Sequence, residues 1–242
     1  MHAATERLLT DFLDRIEPAV PLVALWAHGS LGAGDYRPGR SDLDLVAVLD
    51  SPVTMQQWRD IKAVHRSLEP PLAALLHCSY LPRQELDDLS TEHVTWAHER
   101  IFRRPVTAVT RRELHTAPRR LYGPPPGEVL PPVSDAELEA FVRSDLRDFW
   151  LVKTRARRRW LQEVWVDLGV LTVARATVTL REGRLISKRE ALDVAAGMGA
   201  PDTVVADIRA RRYGTPPPVL SRFRRARLAR AFVRSAIRKA LA

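Results

Sequence analysis

Residues 26–49 read W-A-H-G-S-L-G-A-G-D-Y-R-P-G-R-S-D-L-D-L-V-A-V-L, and they restrict the fold more than any other stretch. A Gly29-Ser30 pair opens a basic, glycine-punctuated loop. Two aspartates, Asp42 and Asp44, then enter a run of apolar and β-branched residues. Successive side chains of a strand alternate faces, so Asp42 and Asp44 project together while Leu43 and Leu45 enter the opposite layer. Two ionised carboxylates side by side repel each other unless a cation lies between them, and oxygen-only donors suit Mg²⁺ or Mn²⁺. A tight turn at Gly29 and Ser30 can bring backbone N–H groups up to a phosphate.

The flanks fit that reading. Apolar residues at helical spacing from Thr5 to Glu17 predict a one-sided helix ending before Pro18. Leu22–Ala27 and Leu43–Leu49 read as strands. Thr54–Leu68 reads as a helix capped by Thr54, with His65 at the rim of its buried face. After Pro70-Pro71, residues Leu72–Leu81 read as a third strand, giving a small mixed sheet. Arg37 and Arg40 are either phosphate neighbours or exposed loop cations. Beyond Pro82 the rhythm is lost, with Ile101–Thr110 and Arg111–His115 open to strand or turn.

Leu121–Pro132 holds five prolines and two glycines, too stiff for a helix or inner strand, and marks the domain joint. The expected division is 1–125 and 126–242. Ser134 with Glu137 and Ser187 with Glu190 have capping-box spacing. Helical stretches follow at Arg157–Leu180 and Asp202–Arg212. Val219–Leu241 is an amphipathic segment with eight basic residues and no acidic one. The second half therefore reads as an α-helical bundle, its last helix either packed on the bundle or placed on RNA or a membrane.

The formal charge of +9 favours anionic partners such as nucleotides or nucleic acid. The single cysteine, Cys78, excludes an intrachain disulfide and a cysteine metal cluster, and fits a cytoplasmic protein. No apolar run is long enough to span a bilayer and no signal-peptide pattern is present. A monomer is expected.

The G-S…S-D-L-D stretch resembles the signature of the polymerase-β-like nucleotidyltransferases. Val170–Ala195, with the R-R-L-Y-G-P passage at the joint, is similar to the helical domain of the aminoglycoside 3''/9-adenylyltransferases, a family known for antibiotic resistance. The resemblance spans about Leu8 to Ala195. It implies an α+β nucleotidyltransferase domain followed by a helical bundle, with ATP and Mg²⁺ (Mn²⁺ as the alternative) as cofactors. It implies transfer of AMP to a hydroxyl acceptor with release of pyrophosphate. By the same resemblance Gly29 and Ser30 hold the triphosphate, Asp42 and Asp44 the metal, and Arg175 and Lys188 the phosphates from the second domain.

Two departures stand against that template. The family's third carboxylate, its general base, lies on the strand corresponding to Leu72–Leu81, where there is no Asp or Glu. The matching residue is His77. An imidazole, titrating at about 6.5, can take a proton at neutral pH, or else the site is altered or inactive. The acceptor region, Lys153–Trp165, holds five basic residues against Glu163, with Asp167 just beyond. That balance disfavours a polycationic acceptor and favours a neutral or anionic one. A small-molecule hydroxyl acceptor is the leading reading. A nucleic acid or protein acceptor, and a nucleotide-binding pseudoenzyme, are the alternatives.

Overall fold

The computed structural model describes residues 2–242 and divides into two compact units, one through Val133 and one over Ser134–Ala242. The first is built on a six-stranded sheet. Its strands are β1 (Leu22–Ala27), β2 (Leu43–Leu49), β3 (Leu76–Pro82), β4 (Glu92–Ala97), β5 (Arg100–Pro105) and β6 (Arg119–Tyr122). They run in the order β5-β4-β3-β2-β1-β6, and only β2 and β3 pair in parallel. The helices of this unit are α1 (Ala3–Ile16), α2 (Gly29–Gly32), α3 (Met55–Ser67), α4 (Ala108–Thr116) and α5 (Pro126–Val129).

Strand alternation sorts the core into two layers. On one face Leu43, Leu45, Ala47, Leu49, Leu76, Cys78 and Tyr80 pack beneath α1 and α3, whose Leu9, Phe12, Ile16 and Ile61 are buried there. On the other, Val46, Val48, Trp26 and Leu81 meet Leu114 of α4 and Leu130. Three corrections to the sequence reading concern this unit. β3 begins at Leu76, because Leu72–Leu75 is a turn of 3₁₀ helix. The segment after Pro82 supplies a hairpin, β4–β5, and Arg111–His115 lies within α4, which Thr107 caps by accepting from the Thr110 N–H at 3.2 Å. The unit runs through Val133, and Leu130 of the proline segment is buried in the same cluster as Val46 and Val48.

His65, expected at the rim of its helix, is buried. It stacks on Trp96 at 4.8 Å and hydrogen-bonds Tyr80 Oη at 2.8 Å through Nε2. Burial, with a smaller push from His77, lowers its pKa to about 3, so it is neutral in the folded chain. Burial likewise raises the Cys78 thiol to about 12.

The second unit is helical: α6 (Asp135–Ser144), a π turn over Asp145–Trp150, α7 (Leu151–Lys153), α8 (Glu163–Glu182), α9 (Lys188–Gly197), α10 (Asp202–Tyr213) and α11 (Arg222–Leu241). The stretch expected as one helix from Arg157 breaks at Gln162, after a 3₁₀ turn. Both expected capping boxes form, at Ser134–Glu137 and Ser187–Glu190. Ser221 caps α11, which buries Ala229, Phe232, Val233 and Ile237; most of its arginines are exposed, while Arg225 is buried. Among the described residues no helix is long and apolar enough to cross a membrane.

Candidate active site

The β1–β2 pairing ends with Ala27 opposite Leu45, and the His28 N–H extends the ladder by donating to Asp44 O at 2.9 Å. The chain must then turn away within one residue. Gly29 does this at φ +60°, and a Cβ there would meet Asp44 Oδ2 at 2.8 Å. A side chain is thus opposed twice, by the left-handed backbone and by the carboxylate. Ser30 follows, buried, in the single turn α2, and its carbonyl accepts from the Asp35 N–H at 2.9 Å. The loop returning to β2 is closed on itself, with Ser41 Oγ accepting from the Arg37 N–H at 3.0 Å. Asp42 therefore emerges, half-buried, one residue before β2.

Asp44 is the second residue of β2, and its partner across the parallel pairing is His77 of β3. Residues so paired share a face, and His77 Nδ1 lies 3.5 Å from Asp44 Oδ1. The imidazole is 7% exposed and the carboxylate 30%, so the acid is the wetter of the two. Gly29, Asp44 and His77 are therefore brought together, with Ser30 and Asp42 adjoining them in the chain.

Two further histidines border this cluster, and neither stands out from sequence patterning. His98 and Glu99 form the two-residue turn of the β4–β5 hairpin with φ of 51° and 58°. That geometry favours Asn-Gly, so the usual sequence signal for a hairpin is missing. The His98 ring stands edge-on to His77, with 4.6 Å between centroids. His28 Nδ1 pairs with Glu113 Oε2 of α4 at 2.9 Å. The W-A-H-G-S string contains His28, but nothing local in the sequence points to a partner 85 residues away.

The two cations expected from the second unit are brought near one another. Arg175, on α8, donates from Nε to the carbonyl of Ile186 at 2.9 Å. Ile186 lies just ahead of the Ser187 cap, and Lys188 is the first residue of α9. Glu163 and Asp167, the acids of the stretch expected to meet the acceptor, are held by arginines. Arg211 holds Asp167 through two hydrogen bonds, at 2.6 and 3.2 Å, and also binds Asp207, while Arg225 reaches Glu163 at 2.9 Å. Burial raises the Asp167 pKa, opposed by its bonds to Arg211. Lys153 lies 4.8 Å over the Phe149 ring and Arg159 5.0 Å over Trp165, leaving an aromatic and cationic surface.

Among the described residues no three His, Cys, Asp or Glu side chains form a ready-made metal cage. The hard oxygens of Asp42 and Asp44 nevertheless fit Mg²⁺, which is commonly held by one or two carboxylates and completed by water and substrate phosphates. The glycine surface against Asp44 leaves no side chain in that approach.

Residues 7–121 match the family model described as Nucleotidyltransferase domain. The fold, an α+β domain followed by a helical bundle, is similar to that of the spectinomycin adenyltransferase AAD(9) from Enterococcus faecialis, solved with ATP and spectinomycin. The TM-score is 0.75 at 13% identity, covering 96% of this chain and 99% of that one. No curated protein sequence matches the chain.

Proposed function

We propose that the protein is an adenylyltransferase that passes AMP from ATP to the hydroxyl of a small molecule and releases pyrophosphate. The observation that carries this reading is the packing of the Gly29 backbone against the Asp44 carboxylate, with His77 beside it on the parallel strand. The match of residues 7–121 and the shared fold with a protein solved with ATP support it.

In this reading the backbone at Gly29 and Ser30 receives the β- and γ-phosphates, since no side chain stands in the way at Gly29. Asp42 and Asp44 would hold Mg²⁺ or Mn²⁺, which when bound neutralises phosphate charge and lowers the pKa of the acceptor hydroxyl. His77 takes the proton from that hydroxyl as its oxygen attacks the α-phosphorus and the bond to pyrophosphate breaks. Asp44 Oδ1 lies 3.5 Å from the His77 Nδ1 of that imidazole. Arg175 and Lys188 stabilise the charge moving onto the leaving pyrophosphate.

The acceptor is a neutral or anionic hydroxyl compound. The acids that would attract a polycation, Glu163 and Asp167, are held by Arg225 and Arg211. The test is pyrophosphate release from ATP with Mg²⁺ or Mn²⁺, over acceptors including spectinomycin, streptomycin, neutral polyols, sugar phosphates and RNA. Acceptor-dependent release that disappears in Asp42→Asn/Asp44→Asn supports the reading. Metal-dependent ATP binding without release for any acceptor favours the pseudoenzyme, which the lack of an Asp or Glu in Leu72–Leu81 would explain.

A further inference from the structure

The second unit contains a groove of about 890 Å³ on a different part of its surface from Arg175 and Lys188. Its walls are the C-terminal half of α8, the far end of α9 and one face of α11. Thr177 lines it, and lies roughly 200° around α8 from Arg175 at 100° per residue. The floor is apolar, formed by Leu180, Met198, Leu228 and Phe232. Along α11 it runs from Leu228 to Ala240, about 18 Å at 1.5 Å per residue. Gly197 opens the α9 wall, since a Cβ there would meet nothing within 4 Å.

The charged lining residues are all cationic. Arg181 and Lys239 line the groove, together with Arg143, which Glu139 binds at 2.8 Å from its own helix, and among the described residues no acid lines it. A shallower depression beside it shares Lys239 and adds Arg230, Arg234 and Arg238. An apolar trough flanked by positive charge of one sign selects a ligand with the opposite pattern. A bare polyanion would leave Leu180, Met198, Leu228 and Phe232 without partners, and a neutral hydrocarbon would leave the cations unused.

We propose that this groove binds a small amphiphilic anion, a single hydrocarbon or aromatic body carrying one phosphate or carboxylate head that meets Arg181 and Lys239. The site is independent of the transfer chemistry, and its test uses no activity. Calorimetry on the full chain would use dodecyl phosphate as monomer, dodecyltrimethylammonium as the cationic counterpart, and phosphatidylglycerol vesicles. One dodecyl phosphate should bind per chain, and the cationic chain should not bind. Arg181→Glu/Lys239→Glu should weaken binding about tenfold or more, since two charge-assisted contacts become repulsive. Gly197→Leu, which projects into open space, should weaken it similarly without altering the circular dichroism spectrum. Equal binding of the cationic amphiphile, affinity unchanged in both variants, or binding to vesicles alone would overturn the proposal. So would concentration-dependent self-association that the two variants abolish without any binding of the monomeric anion, which would make a second copy the occupant.

Discussion

The two units of this protein use charge in opposite ways. Residues 1–133 carry 15 Lys and Arg against 17 Asp and Glu, a net of −2, whereas residues 134–242 carry 23 against 12, a net of +11. All seven histidines lie in the first unit. There the polar groups at the sheet edge, Asp44, His77, His98 and His28, are partnered at close range by groups that can change protonation. In the second unit acids are neutralised by guanidinium groups that stay charged at any ordinary pH, as Arg211 and Arg225 do for Asp167, Asp207 and Glu163. The chain's positive charge thus belongs to the helical unit, and the carboxylates and imidazole of the proposed chemistry lie on a nearly neutral one.

The sharpest way to break the comparison is to remove the carboxylates from the first unit. Asp42→Asn/Asp44→Asn should lower acceptor-dependent pyrophosphate release by about 10³-fold or more, which is roughly 4 kcal/mol of transition-state stabilisation. Its thermal unfolding should match that of the wild type. An active double variant would move the site elsewhere.

Acid titration should separate the units next. Burial lowers His65 to about 3, and burial with help from Arg111 and Arg103 lowers His93 to about 4. Both take a proton near 6.5 when unfolded, so their contribution is intact above pH 6.5 and is lost as the pH falls from there towards 4 and 3. The cost is on the order of a few kcal/mol. Burial raises Asp145 and Asp167 of the second unit, which has the opposite sign: protonation in mild acid relieves a buried charge. Hydrogen exchange between pH 7 and 4 should show β3 and β4 losing protection while α8 keeps its own. Equal losses would refute the assignment.

Arg211→Ala should destabilise the second unit by about 2–3 kcal/mol, because Asp167 and Asp207 keep their burial and lose their shared cation. Urea denaturation read on helical circular dichroism tests it, and Arg211→Lys should recover only part of the loss. Gly29→Ala should cost about 1–2 kcal/mol in the first unit and lower activity more than stability, since its methyl group would displace the Asp44 carboxylate. The smallest expected effects are local and should be alike in both units. Thr54→Ala and Ser187→Ala each remove a capping box, for about 1 kcal/mol.

The structure and the sequence agree where structure is local. The apolar runs on either side of the loop specify β1 and β2, and the spacing of Ser134 with Glu137 and Ser187 with Glu190 specifies two helix starts. What escapes the sequence depends on distance or on unfavoured conformations. The β4–β5 turn uses His98 and Glu99 at positive φ, so no glycine marks it. The helix over Arg111–His115 follows from a threonine cap within an arginine-rich segment of weak periodicity. The Glu113 partner of His28 and the Arg211 partner of Asp167 lie 85 and 44 residues away, and only the folded chain pairs them. The acceptor region reads from sequence as arginines facing two acids. The arginines that hold those acids, Arg211 and Arg225, come from α10 and α11.

Cys78 has a practical consequence. It is the chain's one thiol, lies fully buried next to His77 on β3, and is held far above the pH at which thiols alkylate readily. In the native chain it is shielded from reagents. When the β2–β3 pairing parts, it becomes a single reactive sulfur at the centre of the sheet. The rate of covalent labelling therefore clocks opening of the strand that carries the candidate base, in the unmodified protein and with no background from the helical unit.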